Sequence, residues 1–160
     1  MSVTTLYVSH PSALDHQMPE GHPERSDRIR AVEAALEKER FSGLLRESAP
    51  RAETVTVALA HPVPYVEAII AASPRSGYVQ IDSDTLMSPG TLDAALRGVG
   101  GAVHAVDAVM SGACSNAFVA MRPPGHHAER MQAMGFCLFN SAAIAVRHAR
   151  ERHGASRVAL

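Results

Sequence analysis

Two adjacent imidazoles, His126 and His127, lie near the end of the run Arg122-Pro123-Pro124-Gly125-His126-His127-Ala128. Imidazole titrates near neutral pH, so a histidine can take a proton from water and return it to a leaving group. Two histidines in one site divide that labour when their environments differ. The prolines and the glycine ahead of them fix the backbone and aim the residues that follow. Eight residues further on, Gly135-Phe136-Cys137 offers an open backbone carbonyl and an aromatic wall. Each feature has a plain reading as well. A histidine pair in a loop is commonly solvated surface, an isolated Phe136 a core residue, and Cys137 a small buried hydrophobe. RPPG before the pair and GFC after it weigh against a bare surface loop. Adjacent histidines are poor partners on one metal ion, because a rigid site rarely accommodates both side chains.

The pair must be held by the elements on either side of it. Asn116 to Met121 (NAFVAM) reads as a buried strand, and the loop from Arg122 to Gly135 leaves its carboxyl end. In open α/β sheets, ligands bind just beyond the carboxyl ends of strands. Asn140 to Arg152 reads as a helix with Ala142, Ile144, Ala145 and His148 around one face, stopped by His153-Gly154. Arg157 to Leu160 (RVAL) reads as a further strand. Strand, loop, helix and strand make a βαβ unit, with parallel strands and a right-handed crossover. Because RVAL is an apolar strand with nothing to cover it, the fold is expected to continue beyond Leu160.

Upstream, Thr4 to Val8 is a β-branched and aromatic run that predicts a strand. Ser9 to Arg25 holds three prolines, three histidines and a glycine and reads as a long, functional loop. Ile29, Val32 and Leu36 recur at helical spacing between Ser26 and Arg40, with Ser26 as the expected N-cap. Arg51 to Leu59 suits a strand or a short helix capped by Thr54. Pro64 to Ala72 is predicted as a helix, Val79 to Ile81 as a short strand before the loop from Asp82 to Pro89. Thr91 to Met110 is a long helix whose Gly98, Gly100 and Gly101 imply close packing on a neighbour.

Composition narrows the function classes. The 160 residues carry 15 basic and 16 acidic side chains, a net charge of −1. No basic excess is present to hold a phosphate backbone, so nucleic acid is not expected as a direct ligand. With 46% hydrophobic and 19% charged residues the chain is ordinarily globular rather than disordered. Its two cysteines, Cys114 and Cys137, form no CxxC pair, which excludes a disulfide scaffold and a thiolate zinc site. No apolar run approaches the ~20 residues of a membrane helix. Met1 to His10 lacks a signal peptide's basic start and apolar core, so a cytoplasmic protein is expected. Nine histidines are a rich supply.

The block RPPGHHAERMQAMGFCLFNSAAIAV resembles the signature of the histone deacetylase and acetylpolyamine amidohydrolase superfamily. Gly21-His22-Pro23-Glu24-Arg25-Ser26-Asp27-Arg28-Ile29 resembles the family's early loop-to-helix block. Asp84-Thr85 through Gly90 to Gly100-Gly101 resembles the block before its central helix. The run Asp82 to Gly90, with Ser88, is more similar to the class II and bacterial branch than to class I. The likeness extends from about Ser9 to Leu160.

The resemblance implies a three-layer α/β/α fold with a mainly parallel sheet, arginase/deacetylase-like, truncated after the strand starting near Arg157. Residues 1–160 would then be the N-terminal portion of one deacetylase domain. It implies a zinc-dependent amidohydrolase that removes acetyl from acetyl-lysine or acetylpolyamine. His127 would match the general base, and His126 its electrostatic partner on the same water. Gly135 would offer its carbonyl to the acylated amine, Phe136 would line a tunnel wall, and Asp84 would be the rim acid. Pro124 and Cys137 would shape the deep pocket, and Arg28 would stand buried on the floor of an inner cavity where acetate leaves. The family's Zn²⁺ ligands, an Asp-x-His pair and a second Asp, fall downstream of RVAL, as does its catalytic Tyr. No metal ligand is therefore expected within this chain, and the 160 residues alone are expected to be inactive. Two other readings compete: a catalytically inactive deacetylase-like binding module, and a truncated fragment. Oligomeric state is not readable.

Overall fold

Along the first strand, β1 (Thr5–Ser9), Leu6 and Val8 are fully buried on one side and Tyr7 is buried on the other. Burial on both faces marks a central parallel strand. The computed structural model, which describes residues 3–160, places β1 between β2 (Leu45–Ser48) and β5 (Asn116–Ala120), both parallel to it. Leu6 pairs with Leu45 on one side and with Ala117 on the other. A separate two-stranded antiparallel hairpin joins β3 (Val79–Gln80) to β4 (Leu86–Met87).

Helices cover both faces of the sheet. Helix α1 (Ser26–Leu36) packs Ile29, Val32 and Leu36 with Tyr7 and Ala120. On the opposite face, Leu6 and Val8 meet Val119 of β5 and Ala108 of the long helix α4 (Thr91–Met110). Gly101 of α4 lets it come this close, since a Cβ there would stand 3.2–3.3 Å from Ala49, Val119 and Val8 side chains. A second core joins α2 (Thr54–Val57), α3 (Val63–Ala72), α4 and α5 (Ser141–His153) through Val57, Val66, Ile69, Leu96, Val99 and Ile144. The architecture is the expected α/β/α arrangement with a parallel sheet.

Most expected elements stand within a residue or two of their predicted bounds, but several details differ. Helix α1 ends at Leu36 rather than Arg40, and the expected loop from Asp82 to Pro89 contains the short strand β4. Strand β5 is buried at Ala120 but exposed at Asn116 and Phe118, so it is not buried along its length as expected. Strand β2 has no strand pattern, because all four residues (LRES) are exposed; the edge of β1 recruits it. The ambiguous segment around Thr54 is helical, with Glu53 rather than Thr54 at its cap. Arg25, not Ser26, occupies the cap position of α1. Arg157–Leu160 is not a strand: among the described residues no strand pairs with it, and Leu160 is 93% exposed. An apolar segment becomes a strand only when a ladder accepts its N–H and C=O groups, so the expected βαβ unit stops at its helix. Among the described residues no helix is long and apolar enough to cross a membrane.

Candidate active site

The loop that carries the histidines starts at the carboxyl end of β5 and is tied down from three sides. Arg122 is 3% exposed, and its guanidinium grips both carboxylate oxygens of Glu24 at 2.8 and 2.6 Å. Its remaining donors reach the carbonyls of Ala13 and His16 at 2.6 and 2.8 Å. Glu24 in turn stands 3.2 Å from His16 Nε2, and His16 Nδ1 meets Thr91 Oγ1 at 2.7 Å. This buried network pins the Ser9–Arg25 loop to the end of β5 and to the start of α4. Burial pushes the Glu24 carboxyl up, but His16 beside it and the hydrogen bonds and charge of Arg122 outweigh it, giving about 2. Burial holds His16 below its ordinary value, so it sits neutral.

Asn140 makes the second tie. Its side chain caps α5 by accepting the Ala143 N–H at 2.9 Å and donates to the Ala128 carbonyl at 2.8 Å. His61, fully buried, accepts the Asn140 N–H at 2.8 Å on Nε2, and its Nδ1–H donates to the Arg130 carbonyl at 3.1 Å. These partners fix one neutral tautomer, and burial lowers its tendency to protonate. Tyr65 stacks on His61 with ring centres 5.1 Å apart and donates to the Leu138 carbonyl at 2.7 Å. Gly125 is needed where the loop passes α5, since a Cβ would sit 2.6 Å from the Phe139 carbonyl.

A tight turn makes the third tie. Met134 and Cys137 exchange backbone bonds at 3.1 and 2.9 Å across Gly135 and Phe136, whose φ angles are +57° and +69°. Two successive left-handed residues define a type I′ turn, which Gly accepts readily and Phe does not. The strain at Phe136 is offset by side chains from the β3–β4 hairpin. Asp84 Oδ1 accepts the Gly135 N–H at 3.0 Å, and Thr85 Oγ1 accepts the Phe136 N–H at 3.0 Å.

These ties bring His126, His127, Asp84, Gly135, Phe136, Pro124 and Arg28 around one cleft of about 500 Å³, with Met134. The two imidazoles face it with ring centres 4.2 Å apart. Phe136 meets the edge of His22, 5.1 Å between centres. Asp84 spends Oδ1 on Gly135 and on the Thr85 hydroxyl at 2.9 Å; among the described residues Oδ2 has no partner.

Two expected placements need correction. Arg28 is exposed rather than buried: it borders the cleft from α1, but on a helix whose Ile29 faces the sheet, the residue beside it turns outward. The buried guanidinium is Arg122. Cys137 lies behind the cleft wall, fully buried, where Sγ receives the His127 N–H at 3.4 Å and meets the Gly135 carbonyl at 3.3 Å. Burial raises its thiol, as suits packing rather than attack. Sequence reasoning missed Glu24, Arg122, His16 and His61 as supports. The signal for the first pair was an Arg flanking the turn and a Glu in the early loop, two ends whose meeting only the fold reveals.

The histone deacetylase domain family matches residues 22–160, and the chain belongs to that family. It is 37% identical over 141 residues to the histone deacetylase-like amidohydrolase of Pseudomonas aeruginosa, covering 88% of this chain and 37% of that one. It is 36% identical over 151 residues to a probable deacetylase of Archaeoglobus fulgidus, covering 91% and 41%. Against the human polyamine deacetylase HDAC10 the identity is 36% over 150 residues, covering 88% and 22%. The crystal structure of the HDA15 HD domain superposes with a TM-score of 0.87 at 30% identity, covering 94% of this chain and 44% of that one. The chain therefore spans less than half the length of these relatives.

Among the described residues the cleft gathers no three His, Cys, Asp or Glu ligand atoms. These residues do not by themselves make a metal centre.

Proposed function

We propose that this chain is the histidine-bearing part of a metal-dependent amidohydrolase that removes acetyl groups from acetylated amines, acetyl-lysine or acetylpolyamine. One observation carries the reading: His126 and His127 share a cleft with Asp84, Gly135 and Phe136, residues brought together from separate segments of the chain. In this reading residues 1–160 are the N-terminal portion of one domain, and the Zn²⁺ ligands belong to the rest of the protein.

His127 serves as the base that takes a proton from the attacking water and delivers it to the departing amine. His126, beside it, holds the developing charge. The Gly135 carbonyl receives the substrate amide N–H, and Phe136 packs along the acyl-bearing chain. Asp84, with one oxygen uncommitted, receives donors on the substrate at the rim. The relatives named for amidohydrolase and polyamine deacetylase activity support acetylated amines as the substrate class. Two free, buried thiols fit a cytoplasmic setting.

The test is a fluorogenic acetyl-lysine and acetylpolyamine assay of the whole protein, with and without chelator. His127→Ala is expected to lose on the order of 10²–10⁴ in rate, and residues 1–160 alone are expected not to turn over. Full activity of His127→Ala, or turnover untouched by chelator, defeats the mechanism.

A further inference from the structure

Asp107, His148 and His153 form a cluster that shares no residue with the cleft. The Nε2 atoms of His148 and His153 stand 2.6 and 2.7 Å from the same oxygen, Asp107 Oδ1. The ligand atoms of all three lie within 4.8 Å of one another. The two rings meet at 67° with centres 5.7 Å apart, so their nitrogens converge instead of stacking. The side chains are 12%, 24% and 48% exposed for His148, His153 and Asp107, which leaves an approach from solvent.

The electrostatics at this point favour a cation. Asp107 lies in the last turn of α4, and His153 is the final residue of α5. Both helix ends therefore add partial negative charge beside a carboxylate. Arg150 and Arg152, in the same last turn of α5, are exposed and screened by solvent. Arg147 is engaged by Glu151 at 3.8 Å.

We propose that Asp107, His148 and His153 bind a borderline divalent transition-metal cation, Zn²⁺ foremost, which clamps the ends of α4 and α5 together. Two imidazoles and a carboxylate are a ligand set such ions accept, with water as the fourth ligand. Bonds of 2.0–2.1 Å in a tetrahedron put ligand atoms about 3.3 Å apart. The carboxylate must then retreat by roughly half an ångström, which rotation of the half-exposed Asp107 side chain provides. Each Nε2 gives up its hydrogen bond to the carboxylate and turns its lone pair to the metal, with the ring proton moving to Nδ1 or to solvent. The site does not depend on the amidohydrolase reading.

Equilibrium dialysis of the full chain against Zn²⁺, with metal counted by mass spectrometry, tests the proposal. His153→Gln and Asp107→Asn are each expected to bind one equivalent fewer than wild type, or the same equivalent roughly tenfold or more weakly. His104→Gln, on α4 but paired with Glu47 at 2.6 Å, is expected to keep the wild-type count. Zn²⁺ is expected to raise the Tm of wild type and of His104→Gln but not of the other two. Equal counts and equal thermal shifts in wild type, His153→Gln and Asp107→Asn overturn the proposal. Circular dichroism establishes that each variant is folded. If one is not, the remaining variant and His148→Gln are judged against wild type by the same counts and shifts.

Discussion

Gly135 presses its backbone against the His127 ring: a Cβ on Gly135 would lie 2.7 Å from His127 Cβ and 2.8 Å from Cγ. The contact means that the turn and the His127 imidazole are positioned by one another. Gly135→Ala must move the imidazole, and it must also hold alanine at φ +57°. The left-handed backbone costs roughly 1–2 kcal/mol. Displacing a reacting group by about 1 Å lowers the rate on the order of 10²-fold. Thermal denaturation and kcat for acetyl-substrate hydrolysis by the whole protein check both. A variant with wild-type kcat would show that His127 is not held by this contact.

In the proposed reading Asp84 has two tasks that substitution separates. Asn keeps an oxygen for the Gly135 N–H, so Asp84→Asn is expected to leave stability within about 0.5 kcal/mol of wild type. Asp84→Ala leaves the turn without that acceptor and is expected to cost about 1 kcal/mol. In that reading the lost charge matters at the rim. Asp84→Asn should raise KM for a cationic acetylpolyamine more than for a neutral acetylated peptide. Equal changes for the two substrates would remove Asp84 from substrate binding.

The sequence made the parts of this site legible where local chemistry carried them. NAFVAM, the RPPG turn and the histidine pair are adjacent in the chain, and so is their geometry. Asp84 and Phe136 came to the same cleft through family resemblance, not through spacing. What stayed hidden was non-local. LRES becomes a strand only because β1 offers an edge. Glu24 and Arg122 are 98 residues apart and meet only once α1 and β5 are packed. Arg28 and Arg122 look alike in sequence, and only helix phase puts the first in solvent while burial takes the second. RVAL has the composition of a strand, but among the described residues it pairs with none.

The glycines of α4 give opposite expectations. At Gly98 an added Cβ meets only Met121 Cβ at 3.8 Å, an ordinary contact. Gly98→Ala is therefore expected to stabilise by about 0.5–1 kcal/mol through helix propensity. At Gly100 the same Cβ collides with the Pro50 carbonyl and lies 2.9 Å from Ala52 N. Both are backbone atoms, and Ala52 N already donates to the Leu96 carbonyl of α4 at 3.1 Å. Gly100→Ala should thus destabilise by roughly 1–3 kcal/mol. Urea midpoints for the two variants that move in the same direction would contradict this packing.

The Glu24–Arg122–His16 network predicts how stability responds to acid. Glu24 has a folded value of about 2 against an ordinary 4.5. A depressed carboxyl contributes stability that is complete above the unfolded value and lost as pH falls through the folded one. Two and a half units at 1.36 kcal/mol each amount to about 3 kcal/mol, released between pH 4.5 and 2. His16 acts earlier and in the same direction. Burial keeps it neutral in the folded state, whereas the unfolded chain protonates it below about 6.5, so stability begins to fall there. Urea midpoints should therefore decline from pH 7 to 5 and again, more steeply, from pH 4.5 towards 2. Glu24→Gln should flatten the second decline. It should also weaken the protein by about 3–5 kcal/mol at pH 7, because it leaves the Arg122 guanidinium buried without its counter-charge. A Glu24→Gln variant as stable as wild type at pH 7, with an unchanged acid profile, would show that the network does not anchor the histidine loop.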